Sequence, residues 1–254
     1  MSLLYLLVDL GAIAVPLLAS FHPKIRLDRQ WKALWLAILL SAVPFIIWDS
    51  YFTKIGVWGF TPQYLTGIGL FGLPIEEVLF FICIPYACMF TYYCFRLWKG
   101  PELYLRAENA VTWIFLILCI VLGLLGTGRY YTASTATALG AFLVYLKWQY
   151  KPKWLGLFYY SHQFLLLPFL IVNGILTGTG PEKPVVWYNN AENLGVRMLT
   201  IPVEDIFYGM LLLLLNALLF EYFLQKAEKT KRASEGRAVG EGNKLGRKPG
   251  RSVQ

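Results

Sequence analysis

Seven stretches of the chain approach the length and apolarity needed to cross a bilayer, and no other feature restricts the fold as strongly. They run at about Leu3–Ser20, Trp31–Trp48, Pro74–Phe95, Ala110–Leu125, Tyr131–Trp148, His162–Gly178 and Pro202–Phe223. A spanning helix needs roughly 20 such residues. Lipid offers no partner to an open strand edge, so each stretch is expected to be helical. Pro16, Pro44, Pro85 and Pro168 fall inside these stretches, where neighbouring helices can re-satisfy the freed backbone groups. Only 15% of residues are charged, where a soluble domain carries about a quarter. The expected class is all-α, a polytopic membrane bundle of seven transmembrane helices.

Basic residues set the expected orientation. With the N-terminus outside, the inner connections hold Lys24, Arg26, Arg29, Lys32, Arg96, Lys99, Arg106, Lys147, Lys151 and Lys153, and nine more cations follow Phe223. Only Lys54, Arg129, Lys183 and Arg197 then face outward. This positive-inside pattern predicts an integral membrane protein with a cytoplasmic C-terminus. The net charge of +8 is thereby explained by topology, and nucleic acid is not an expected partner. The first stretch lacks a basic n-region and reads as a retained helix, not a cleaved signal. Residues 226–254 turn to Lys, Arg, Gly, Ser and Glu and are expected to form a disordered basic tail. Cys83, Cys88, Cys94 and Cys119 lie in or beside apolar runs without metal-ligand spacing, so structural thiols are expected and a metal is not.

One motif occurs twice. Pro74-Ile75-Glu76-Glu77-Val78-Leu79-Phe80 returns as Pro202-Val203-Glu204-Asp205-Ile206-Phe207-Tyr208, each opening an apolar run. Both fall at the outer face, which makes residues 1–95 and 131–225 two parallel three-helix repeats, with a linker helix inside 96–130. Acids in the first turn suit the positive end of a helix, which would make them caps alone. Their duplication at matched depth, where carboxylates are costly, favours chemistry. Neighbouring helical residues point about 100° apart, so one acid of each pair can face the bundle interior. A protonated acid and an ionised neighbour would then act as proton donor and base.

The remaining polar groups are candidates for support. Asp9 sits deep in the first stretch, and Asp49 and Asn173 are expected at the ends of the second and sixth. The outer connections, Asp49–Leu73 and Thr179–Ile201, carry Trp58, Phe60 and Tyr64, then Trp187 and Tyr188. They form either an interfacial aromatic belt or a lid over a cavity between the third and seventh helices. Tyr188, Asn189, Asn190 and Arg197 are placed to orient the carboxylates. His22 and His162 are expected at the inner face, far from the acids. Gly67-Ile68-Gly69 leads into an acid pair and not a phosphate-binding turn, and no nucleophile or metalloprotease motif occurs. The chemistry suggested is redox-neutral acid–base work on a lipid-soluble unsaturated molecule, with aromatic faces stabilising a cation. Two other readings stay open: a prenyltransferase-like enzyme holding Mg²⁺ and a diphosphate, and a proton-coupled carrier.

The residues resemble a known family. Trp48-Asp49, Gly56-x-Trp58-x-Phe60 and Leu73-Pro74-Ile75-Glu76-Glu77-x-x-Phe80-Phe81 look like one half of the integral-membrane lycopene cyclases. Asn173-Gly174-x-Leu176-Thr177, Trp187-Tyr188 and Arg197-x-x-x-Ile201-Pro202-x-Glu204-Asp205-x-x-Tyr208 look like the other. The resemblance implies redox-neutral closure of the linear ends of lycopene to β-rings, with a carotenoid substrate, membrane lipid around it and no cofactor. It implies that Glu76, Glu77, Glu204 and Asp205 are essential. Among these we expect Glu76 and Glu204 to be the principal pair. Self-association is compatible with the sequence.

Overall fold

The computed structural model describes residues 3–98 and 102–245. Every apolar stretch forms a helix: α1 (Leu4–Ala19), α2 (Trp31–Ile55), α3 (Ile75–Trp98), α4 (Glu102–Leu125), α5 (Tyr130–Val144), α6 (Leu155–Thr177) and α7 (Val203–Leu245). Among the described residues five helical segments are long and apolar enough to cross a membrane: Leu27–Ile55, Ile75–Trp98, Arg106–Leu125, Leu155–Thr177 and Val203–Thr230. The other two are shorter. α1 has 16 residues, and α5 has 15 before a π-helical turn carries it on from Tyr145 to Tyr150. Side chains such as Leu18, Ile47, Leu124 and Leu167 project from the bundle into its surroundings, as lipid-facing residues must.

Three boundaries differ from the sequence reading. α2 continues past Trp48 because Phe52 still packs inward, and it stops at Gly56, whose φ of 77° ends the helix in a left-handed turn. α6 begins at Leu155, so His162 lies about two turns inside a helix expected to start with it. Asp49 is consequently a helix-interior residue, while Asn173 sits near the end of α6, as expected. In place of an irregular tail from residue 226, α7 runs on to Leu245, since Ala, Glu, Lys and Arg dominate there and all favour helix. Residues 246–254 of the expected tail lie outside the described residues.

Helix packing is exchanged between the two halves of the chain. α1 lies along α3, and α5 along α7. The middle helices cross over: α2 packs on α7 as well as on α3, and α6 packs on α3. Leu34, Ile38, Phe81, Met210 and Leu214 belong to the core that results. α4 rests on α5 and α6, tied by a 2.9 Å Thr112–Tyr159 hydroxyl contact and a 2.7 Å Lys147–Glu108 ion pair.

Short ladders, not anticipated from the sequence, organise the connections at the acid end. β1 (Trp58–Phe60) pairs antiparallel with β4 (Val186–Tyr188), in the register Trp58↔Tyr188, Gly59↔Trp187 and Phe60↔Val186. β2 (Gly69–Leu70) folds back on β3 (Leu73–Pro74), and β5 (Arg197–Met198) on β6 (Ile201–Pro202). These two hairpins match at one constant offset along the chain. Phe71 and Leu199 turn them with φ of 55° and 58°, a costly conformation for branched or bulky residues. The Ile75 N–H reaches Ile68 O at 2.9 Å, and the Val203 N–H reaches Val196 O at 3.0 Å.

Gly59 marks the centre of the β1–β4 ladder, and a Cβ there would be driven into the Trp187 indole. Gly59→Ala is expected to lower stability by about 1–3 kcal/mol, the usual cost of overpacking. Thermal unfolding of the purified protein checks this, and an unchanged midpoint would show that Trp187 can move aside.

Candidate active site

Each acid motif opens its helix directly after a hairpin, and the geometry divides each pair into an outer and an inner carboxylate. Glu76 accepts the Thr66 N–H on Oε1 at 2.6 Å. Glu204 accepts the Leu194 N–H on Oε1 at 2.8 Å, with the Thr132 hydroxyl on the same oxygen at 2.6 Å. These two residues hold the loop that precedes their own helix. Glu77 accepts the Tyr5 hydroxyl on Oε2 at 2.5 Å. Asp205 accepts Tyr131 on Oδ1 at 2.5 Å and Tyr188 on Oδ2 at 2.9 Å. The tyrosine at the start of α1 thus braces the acid of α3, and the tyrosine at the start of α5 braces the acid of α7.

Glu77 and Asp205 line one cavity of about 270 Å³. It sits between α1, α3, α6 and α7, under the β1–β4 ladder. Its wall follows α3 from Glu77 to Thr91, about 21 Å at 1.5 Å per residue. Away from the carboxylates the lining is mostly apolar, with Ile84, Leu165, Phe169 and Leu212 among its residues. Such a volume lies at the lower end for ligand pockets, about 300 Å³, and suits the end of a long thin molecule. The aromatic residues in the lining, which the sequence could not single out, include Trp58, Phe60, Phe80, Phe81, Tyr131, Tyr188 and Tyr208. Trp58 meets Tyr131 edge-on at 5.0 Å and Tyr208 at 6.2 Å.

The cavity is not symmetric. Tyr188 and Tyr208 stand where the first half has Phe60 and Phe80. Asp205 therefore has two phenolic donors, while Glu77 has one, and no second donor reaches it among the described residues. Burial and the nearby Asp205 charge hold the Tyr188 phenol well above its usual pKa range, so it remains a donor at neutral pH.

The expected site residues distribute as follows. Glu77, Asp205, Asp49, Asn173, Trp58, Tyr188 and Tyr208 all line the cavity. Glu76 and Glu204, expected to lead, are buried behind it and do not line it, because the 100° step between neighbours turns them to the hairpin loops. Arg197 touches neither acid pair. Its guanidinium bonds Thr200 O at 2.9 Å and Asn190 Oδ1 at 2.8 Å, and lies 5.7 Å over the Tyr188 ring. Asn189 Oδ1 accepts the Ala191 N–H in a local turn. Asp9 is fully buried one turn beyond Tyr5, outside the cavity lining. His162 lines the cavity, whereas His22 is an exposed loop residue. Tyr5, Tyr131 and Thr132 escaped the sequence reading, although Tyr5 and Tyr131 occupy like positions at the starts of α1 and α5.

Because Glu204 anchors Leu194, Glu204→Ala leaves a backbone donor without its acceptor and is expected to cost about 1–3 kcal/mol of stability. Loss of thermal stability, ahead of any loss of turnover per folded molecule, is the expected result. Unaltered stability would refute the anchoring role.

A family model described as lycopene cyclase matches residues 2–95 and, again, residues 128–223. The chain belongs to the lycopene cyclase family. Each matched segment carries one Pro-x-Glu-acid motif, the first with one bracing tyrosine and the second with two. Among curated proteins, the bifunctional lycopene cyclase/phytoene synthase of Aspergillus oryzae is 31% identical over 134 residues, 50% of this chain and 22% of the relative. The protein of that name from Aspergillus niger is 28% identical over 135 residues, 52% of this chain and 22% of the relative. In the Neurospora crassa protein the match is 34% over 89 residues, 35% and 14% of the two chains. These matches span less than a quarter of the relatives' own length. No solved structure matches this lycopene cyclase family chain.

Proposed function

We propose that the protein closes the linear ends of a lycopene-type carotenoid into β-rings by proton donation and removal, without net oxidation or reduction. One observation carries the proposal: Glu77 and Asp205, each braced by tyrosine, share an apolar aromatic-lined cavity. Family membership and the names of the fungal relatives support it.

Glu77 gives a proton to the terminal double bond of the bound end, leaving a tertiary cation. The neighbouring double bond attacks that cation, one carbon–carbon bond forms, and the charge moves onto the new ring. Asp205, fixed by Tyr131 and Tyr188, takes a ring proton, and a double bond returns. One proton enters and one leaves, so the product is an isomer. Trp58, Tyr131 and Tyr208 pack against one another in the cavity wall that also holds Asp205, and a passing cation is stabilised by the ring faces turned to it. Glu76 and Glu204 act through the hairpins they hold. A Mg²⁺-diphosphate reading would require cations among the acids, and Arg197, over the Tyr188 ring, is engaged by Thr200 and Asn190.

The architecture proposed with this activity has seven crossings, two parallel three-helix repeats and α4 as linker, with the N-terminus outside. The twice-matched family model, the matching hairpins and the positive-inside pattern support it. Expression in cells that accumulate lycopene, with pigments resolved by chromatography, tests the activity. Monocyclic or bicyclic product without added reductant is expected. Unchanged lycopene beside membrane-inserted protein would overturn the proposal.

A further inference from the structure

Ring closure as proposed above leaves the chamber in the wrong state for a second molecule. Glu77 has lost a proton and Asp205 has gained one, so a proton must return before the next closure. Both carboxyls line the same mostly apolar cavity, and a bare charge cannot cross such a lining cheaply. A protein group between the two acids is therefore called for.

Tyr208 has that position. It follows Asp205 by three residues on α7, so the two side chains are neighbours on one helix face. Its ring packs against Phe45 at 5.1 Å and Trp48 at 5.4 Å, on the part of α2 that carries Asp49. Asp49, Glu77 and Asp205 are all within electrostatic reach of its phenol. The residue lines the cavity, yet its hydroxyl is enclosed and meets no hydrogen-bond partner. An enclosed hydroxyl does not touch a bound carotenoid, so its work lies among the acids. Buried hydroxyls are nearly always paired, whereas this one lies near three carboxyls and is bonded to none. Asp49 is similar: it is buried, and its Oδ2 lies near the Trp58 indole N–H without closing a hydrogen bond. A group that changes partners during a cycle needs such an open position. Packing alone does not require the phenol oxygen, since Phe80 holds the matching place in the first motif.

We propose that the Tyr208 hydroxyl returns the proton from Asp205 to Glu77 after each closure. Its O–H proton passes to the ionised Glu77 while its oxygen takes the proton of Asp205. The phenol ends as it began, both acids are reset, and no electrons move. The inference rests on the cyclisation reading, and its test separates the two. The full chain in vesicles would be mixed with excess lycopene, quenched at intervals, and the rings formed per protein molecule counted by chromatography. Tyr208→Phe keeps the ring and removes the carrier. Its first ring is expected to form as fast as in the unmodified protein. Later rings are expected about tenfold more slowly, less than the full contribution of a positioned acid or base because solvent slowly replaces the carrier. Later rings formed at the unmodified rate would overturn the proposal. A first ring slowed as much as the later ones would overturn it too, by placing the hydroxyl in closure or in folding. No ring in any phase from the unmodified protein would overturn the cyclisation reading itself, and this inference with it.

Discussion

Asp205→Asn is expected to reduce ring formation by about 10²–10⁴-fold, the usual contribution of a positioned general acid or base. The amide keeps the shape of the side chain and can still accept from Tyr131 or Tyr188, so folding is largely preserved. What disappears is a group able to take the ring proton and to balance the cation before it leaves. Glu77→Gln is expected to fall as far, because an amide cannot supply the proton that starts the reaction. Glu76→Gln, beside it in sequence but turned to Thr66, is expected to retain most turnover per folded molecule. Pigment analysis normalised to membrane-inserted protein makes the comparison. Wild-type turnover in either inner-pair variant would sink the assignment, and a larger loss at Glu76 than at Glu77 would return the outer carboxylates to the leading role.

The double substitution Tyr131→Phe and Tyr188→Phe is expected to produce the second largest effect. Hydrogen bonds to charged groups contribute about 1.5–3 kcal/mol each, so every phenol removed is expected to slow turnover roughly tenfold to a hundredfold. Each ring is kept, and with it the packing against Trp58 at 5.0 Å and 6.1 Å. Tyr5→Phe is the matching change at Glu77, where only one donor is lost. A structural role alone would lower protein yield and thermal stability together. A positioning role leaves those nearly constant and restores activity on return of a single tyrosine. Equal turnover in the double variant and the unmodified protein would show that Asp205 needs no fixing.

Much of this architecture was legible because lipid permits few solutions. Apolar runs alone placed all seven helices, and the repeated Pro-x-Glu-acid motif led to the carboxylates. Periodicity could not choose between neighbours. Glu76 and Glu77 differ only by the 100° step between helical positions, and which of them faced inward depended on where the hairpin before α3 sat. That hairpin turns on Phe71 and Gly72, and although the glycine signals a turn, the φ of 55° at Phe71 has no signal in sequence. Tyr5 was hidden in another way: a tyrosine near a membrane interface reads as an anchor, and only the packing of α1 on α3 brings its hydroxyl to Glu77. The start of α6 was set too late, at His162, because apolarity alone marked it, whereas the helix begins at Leu155.

The crossing-over of α2 and α6 bears on how the protein is made. Asp205 travels on α7, and the helix that receives it, α2, is synthesised five helices earlier. Early segments must therefore wait in the bilayer with a face still uncovered until α7 has emerged. A nascent protein stalled before α7 would be inserted yet have no chamber, whatever the condition of its first carboxylate.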